Sequence, residues 1–165
     1  MADLLAEGDL IDFGPLPEAI NDLLQRGVAA YYDDRPTADG LFRQALAQAP
    51  EQLPIYYCLY KIHTYQRNLE QARDAALAGI REAARQANLP PDWRDWRLGE
   101  NDWNAGGATR FALYTIKALA FIELRRENLA EARALLDRLA GLDPADEVGG
   151  SVVNAMALRL EATGP

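Results

Sequence analysis

Residues able to do chemistry are few in this chain, and they are badly placed for it. His63 is the only histidine and Ser151 the only serine. A serine–histidine–acid triad needs a base within hydrogen-bond reach of its nucleophile, and here it has no material beyond one pair far apart in sequence. Cys58 and His63 stand five residues apart, which turns them about 140° from each other on a helix. They could share a metal or a proton only if that helix bent. Carboxylates are plentiful, but on amphipathic helices they form solvated faces. The run Gly106-Gly107-Ala108-Thr109 precedes a predicted helix and could turn backbone N–H groups toward an anion. It lacks the Gly-Lys-Ser/Thr ending and the preceding strand of a P-loop, and reads as a loop and helix start. No catalytic residue, metal ligand or cofactor is expected.

Binding is the better prospect, and two groups of residues suggest it. Lys61 and Lys117 are the only lysines; the other fifteen cations are arginine. Trp93, Trp96 and Trp103 are the only tryptophans, and all lie in the segment 88–105 beside Arg94 and Arg97. Trp with Arg is the composition enriched at interface hot spots. A connection of this length exceeds the usual upper range of about 12–15 residues and is commonly functional or disordered. Three indoles carry too much apolar area for disorder to be favoured. Pro90-Pro91-Asp92 can start a short helical turn and Gly99 can end it, which puts Trp93 and Trp96 on one face. Two compatible expectations follow. The indoles pin the segment to the helices around it, or one of them anchors a partner. Trp93 and Trp96 suit pinning; Trp103, next to Asp102 and near Gly106-Gly107, suits anchoring.

The elements that must position these residues are helices. The chain is rich in Ala, Leu, Arg, Glu and Gln, all good helix formers, and 165 residues suffice for one domain with a real core. Helices are expected over about 17–33, 36–49, 53–66, 69–87, 108–126, 129–141 and 146–162. The last carries Val152, Val153, Met156 and Leu160 on one face. Residues 1–14 are acidic and apolar by turns (Leu4, Leu5, Asp9, Ile11, Asp12, Phe13) and read as a loosely held arm or a disordered tail. Residues 15–165 then form a single domain.

Net charge of −8 argues against nucleic acid, which is held mainly by neutralising its phosphates. The longest apolar stretch, Phe111 to Ile122, is too short to span a membrane and is broken by Lys117. The N-terminus has no basic segment of the kind that opens a signal peptide. A single cysteine excludes an intrachain disulfide and fits a reducing, cytoplasmic setting.

The chain also repeats itself. Asn68-Leu69-Glu70-Gln71-Ala72-Arg73 matches Asn128-Leu129-Ala130-Glu131-Ala132-Arg133 at Asn, Leu, Ala and Arg after a shift of 60 residues, and a further copy lies 34 residues earlier with Ala38 in the place of Ala72. Periods of this size mean stacked helical hairpins. The larger shift reads as 34 plus an insertion of 26 residues that holds all three tryptophans. Ala38, Phe42, Ala45 and Pro50 follow the spacing Ala-x3-Phe-x2-Ala-x4-Pro. The same frame gives Ala72, Ala76, Gly79 and Ala84, and then Ala132, Leu136, Leu139 and Pro144. A small residue lets two helices approach, an aromatic one turn later fills the space beneath, and proline stops the helix.

This pattern resembles the tetratricopeptide repeat (TPR) family over roughly residues 17–145, the insertion left out. The chain departs from the family at its first-helix landmarks: Gly27 is one residue from the family glycine, and Ala84 replaces the terminal proline. The resemblance implies an all-α fold, a right-handed stack of three antiparallel hairpins with a C-terminal capping helix. It further implies a concave wall built from the first helix of each hairpin. Tyr57, Lys61, Thr64 and Tyr65 would line it from one helix, and Tyr114, Lys117 and Phe121 from the next. The family's dicarboxylate clamp, which grips chaperone C-termini, uses asparagines whose places here hold Cys58 and Lys61, so that ligand is not expected. The chain as a whole is also similar to short TPR proteins encoded among bacterial nitrogen-fixation genes.

The expected function is therefore a non-catalytic, bacterial-type cytoplasmic adaptor or scaffold. Its trough would bind a protein or peptide bearing acidic groups, the two ammonium groups exposed between aromatics. The alternatives are a self-associating module packed through the tryptophan segment, hence a homo-oligomer, or a helical domain that closes on a small ligand. Neither nucleic acid nor membrane is expected as a partner.

Overall fold

The computed structural model describes residues 13–163, and among these there are seven α-helices, one 3-10 turn and no strand. The helices are α1 (Glu18–Ala30), α2 (Arg35–Gln48), α3 (Leu53–Tyr65), α4 (Leu69–Ala87), α5 (Ala108–Arg125), α6 (Leu129–Leu142) and α7 (Gly150–Thr163). The arm expected over residues 1–14 lies outside the described residues except for Phe13 and Gly14. Among the described residues no helix is long and apolar enough to cross a membrane.

Helix boundaries have local causes. Pro17 stands just before α1 rather than as its first residue, and its carbonyl accepts the N–H groups of Ile20 and Asn21, both at 3.0 Å. Asp34 caps α2: its carboxylate accepts the Thr37 N–H at 3.1 Å, and Pro36 follows in the first turn, where no N–H is needed. Asn88 ends α4 in the left-handed conformation, φ 56°.

The recurring Asn-Leu-x-x-Ala-Arg string is a turn followed by a helix crossing. At the end of α3, Arg67 is left-handed (φ 62°), the Asn68 N–H returns to the His63 carbonyl at 2.8 Å, and the Arg67 N–H returns to that of Thr64. At the end of α5, Glu127 has φ 64°, the Asn128 N–H reaches Glu123 O at 2.9 Å, and the Glu127 N–H reaches Leu124 O. Both are Schellman turns, which satisfy carbonyls that a helix end otherwise leaves unpaired. The two asparagines also reach back through their side chains, Asn128 Nδ2 to Glu123 Oε2 at 2.8 Å and Asn68 Nδ2 to His63 Nδ1 at 3.3 Å. Four residues on, Ala72 and Ala132 are fully buried, as is Ala38 in α2. Gly27 belongs to the same logic: a Cβ there would fall 2.3 Å from the Phe42 ring, so the first crossing depends on its absence.

Consecutive helices pack on one another in chain order from α1 to α7; α3 also touches α5, and α5 touches α7. Two apolar clusters meet in α3. Ile55, Cys58, Leu59 and Ile62 join the α1–α2 cluster around Leu24, Val28 and Phe42, while Leu53, Tyr56 and Tyr60 join the larger one that runs on through α7.

The last helix departs from expectation in two ways. It starts at Gly150 rather than near residue 146, because Asp146 and Gly149 both take positive φ (57° and 80°) and hold Asp143–Gly149 as a turn. It also buries a different face. Val153 and Ala157 point inward, whereas Val152 is 62 % exposed and Leu160 47 %.

Candidate functional site

The residues expected to line a concave wall are all on α3 and α5, two helices that touch. On α3, the spacing Tyr57-x3-Lys61-x3-Tyr65 stacks three side chains one turn apart. The Lys61 ammonium lies 5.4 Å from the Tyr57 ring centre and 5.9 Å from that of Tyr65. Thr64 completes the set half-buried, its hydroxyl donating back to the Tyr60 carbonyl at 2.6 Å. On α5, Tyr114 is 40 % exposed, with the Lys117 ammonium 4.9 Å and the Arg110 guanidinium 5.2 Å from its ring centre. Phe121, half-buried, carries Arg125 at 5.4 Å. Each of four cations thus sits over at least one aromatic ring, an attraction worth about 0.5–1 kcal/mol when exposed and more when desolvated.

Both lysines were expected to be exposed, and neither is. Lys61 is only 6 % exposed, its ammonium near the rings of both tyrosines. Lys117 is half-buried and donates to the Val148 carbonyl at 2.6 Å. The Asp143–Gly149 turn presents that carbonyl because the Asp143 carboxylate accepts the N–H groups of Glu147 and Val148, both at 3.0 Å. Glu147 in turn stands 3.7 Å from Arg110. The α6–α7 turn is therefore laid over the α5 half of the face. Arg110 and Arg125 had not been picked out, although their i, i+4 spacing to Tyr114 and Phe121 was a readable signal. Nothing in the local sequence pointed to Val148.

The tryptophan segment is part of the core. Asp92 caps the 3-10 turn Trp93–Asp95 by accepting the Arg94 N–H at 2.9 Å. Trp96 is fully buried and its indole N–H donates to the Pro90 carbonyl at 2.8 Å; that of Trp103 donates to Arg97 O at 2.8 Å. The two rings lie 5.5 Å apart. Trp103, expected to be the freer ring, is only 6 % exposed, so it is pinned with Trp93 and Trp96. The exposed arginines assist. The Arg94 guanidinium lies 4.4 Å from the Trp93 ring centre and reaches Glu131 of α6 at 2.6 Å, and Arg97 Nη1 donates to the carbonyls of Arg94 and Trp96. Arg138, from α6, donates to Trp96 O at 3.2 Å.

The reactive side chains are used structurally and stand apart. His63 is buried, with its Nε2 2.7 Å from the Asp39 carboxylate of α2 and Asn68 at its other nitrogen. Ser151 hydrogen-bonds Asp146 through both N–H and hydroxyl at the start of α7. Complete burial pushes the Cys58 thiol well above its ordinary range, which holds it in the protonated, inert form near neutral pH. Among the described residues no three His, Cys, Asp or Glu side chains could hold a metal ion together.

No family model matches the chain, and no solved structure matches it. Over 120 residues, 71 % of this chain, it is 26 % identical to an uncharacterized 19.8 kDa protein in the nifW 5′ region of Azotobacter chroococcum mcd 1, of which the match covers 67 %.

Proposed function

We propose that the chain is a TPR-like helical repeat whose α3–α5 face binds an acidic segment of a partner protein, as a non-catalytic adaptor. In this reading α1–α2, α3–α4 and α5–α6 are the hairpins, α7 is the cap, and the tryptophan segment is an insertion between the second and third units. The matching turns at Arg67 and Glu127 support the repeat. The single observation that carries the function is that cations sit over rings on each of two touching helices: Lys61 with Tyr57 and Tyr65, Lys117 and Arg110 with Tyr114, Arg125 with Phe121. Against a chain of net charge −8, this is a local concentration of positive groups among apolar surfaces. Such a face suits carboxylates flanked by apolar residues and steers them over a distance set by ionic strength.

A selection of phage-displayed random 12-residue peptides on the immobilised protein tests the reading. Recovered peptides should be enriched in Asp and Glu. They should bind the Lys61→Met/Lys117→Gln variant at least tenfold more weakly, most clearly at low salt. Recovered peptides without acidic enrichment, or with equal affinity for the variant, would refute it.

A further inference from the structure

The last helix ends the stack with its outer side uncovered. Three of the six large apolar side chains that stand exposed among the described residues, Val152, Leu158 and Leu160, are on α7. The outward side has a regular pattern: Ser151, Ala155, Leu158 and Ala162, all exposed, recur at intervals of 4, 3 and 4 residues. That is the spacing of a seam along which one helix meets another. Beside it runs a groove of about 340 Å³, lined by Leu136, Leu139 and Ala140 of α6, by Pro144, and by Ser151 and Asn154 of α7. The polar side chains around this groove are already used: Arg133 bonds Asp137, Asn154 and Glu161, and Asp146 bonds Ser151. What it has left to offer is apolar contact.

The surface thus carries both a knob, Leu158, and a place for one, which picks out a second copy of the chain as the occupant. A two-fold interface requires one patch to complement itself. Two α7 helices set antiparallel, with Leu158 opposite the partner's Ala155, meet that requirement: the large side chain lies over the small one twice. Ser151, Asn154 and Leu158 stand at i, i+3 and i+7 and share a flank, and the two-fold keeps like flanks on the same side. Each Leu158 therefore lies over the edge of the other copy's groove. The parallel alternative sets Leu158 on Leu158 and Arg159 on Arg159. Charge favours the same occupant. A net charge of −8 holds copies apart in general, but α7 carries only Arg159 and Glu161, which sum to zero, and Glu161 is bonded to Arg133. We propose that the chain pairs with a second copy through antiparallel α7 helices, each Leu158 seated in the other's α6–α7 groove. The pairing does not depend on the reading of the α3–α5 face, and it gives an adaptor two such faces in one particle. α7 spans about 21 Å. The contact is at the small end of specific interfaces, so the dimer should form reversibly at micromolar concentrations.

Sedimentation equilibrium of the full chain over about 1–500 µM reads the association. The parent should pass from monomer to dimer across that range, and Leu158→Glu should weaken the association at least tenfold. Leu158 is 52 % exposed, so the melting temperature of a dilute sample should hold. Should it fall, Ala155→Glu, at an exposed position on the receiving side, must give the same loss. Disulfide formation reads the register, and Cys58 stays silent because it is fully buried. In the antiparallel pair the two copies of residue 155 lie about 4.5 Å apart along the axis and those of residue 162 about 16 Å. Ala155→Cys should therefore link into a covalent dimer under air oxidation and Ala162→Cys should not. A parent that stays monomeric throughout, a dimer that survives Leu158→Glu, or equal linking at both positions would each overturn the inference.

Discussion

Trp96→Ala is the substitution whose cost can be worked out most fully. Trp96 is completely buried, stacks near Trp103, and spends its indole N–H on the Pro90 carbonyl. Truncating a buried Trp to Ala costs about 3–5 kcal/mol, the larger values applying where the surroundings cannot collapse into the space. Here the carbonyls of Trp96 and Arg97 are held by Arg138 and by the Trp103 indole, so the loop is tied on both sides of the cavity. We therefore expect the upper half of that range. At about 2–4 °C per kcal/mol for a domain of this size, the melting temperature should fall by roughly 8–20 °C. Trp96→Phe keeps most of the ring and removes only the donor; it should cost about 1–3 kcal/mol through the unpaired carbonyl. Urea unfolding followed by far-UV circular dichroism measures both without relying on tryptophan emission, which these changes alter by themselves. A loss below about 1 kcal/mol for Trp96→Ala, with an unchanged slope, would mean that the segment is not part of the core and would restore it as a binding element.

Ala72→Leu should overpack the α3–α4 crossing and cost about 1–3 kcal/mol in the same assay; an unchanged midpoint would mean that the repeat register is wrong. Asn128→Ala removes one of the two groups that hydrogen-bond Glu123, a carboxylate only 1 % exposed, and should cost about 1–3 kcal/mol. Asn68→Ala, whose partner is an imidazole at 3.3 Å, should cost less, and the reverse order would contradict the turn assignment. Asp34 and Asp146 are held below the ordinary carboxylate range, chiefly by side-chain hydrogen bonds from Thr37 and Ser151. Their folded-state values lie below the unfolded ones, so the stabilisation is present above about pH 4 and is lost as pH falls through the lower, folded values. Acid unfolding of Asp34→Asn should accordingly lack part of the parent's dependence on pH below 4, and an identical profile would exclude Asp34 as a contributor.

The helices were legible because their punctuation is local. Asp34 with Pro36, and Asn88, each act within a turn of their own position. The Asn-Leu-x-x-Ala-Arg string could be read as a repeat, though not as a Schellman turn with a side-chain lock, since that depends on φ at Arg67 and Glu127. The start of α7 was misplaced for a similar reason: Asp-Pro-Ala-Asp resembles a helix opening, and left-handed geometry at Asp146 cannot be seen in it. The fate of the tryptophans was half legible. Their area argued for burial, but the meeting of Trp96 with Trp103 follows from the path of the loop through Gly99, which no periodicity records. Lys61 shows the same limit. Its spacing from Tyr57 and Tyr65 along α3 was readable, yet its burial to 6 % exposed depends on tertiary packing that no periodicity records.

The claim that a partner's acidic segment lies on the α3–α5 face is tested most directly by a ¹⁵N NMR titration of the protein with a display-selected acidic peptide. The amides of Tyr57, Thr64, Tyr65, Tyr114 and Phe121 should shift together, while the indole N–H signals of Trp93, Trp96 and Trp103 stay in place. Shifts concentrated in the tryptophan segment or along α7, with the α3 and α5 amides unmoved, would contradict it.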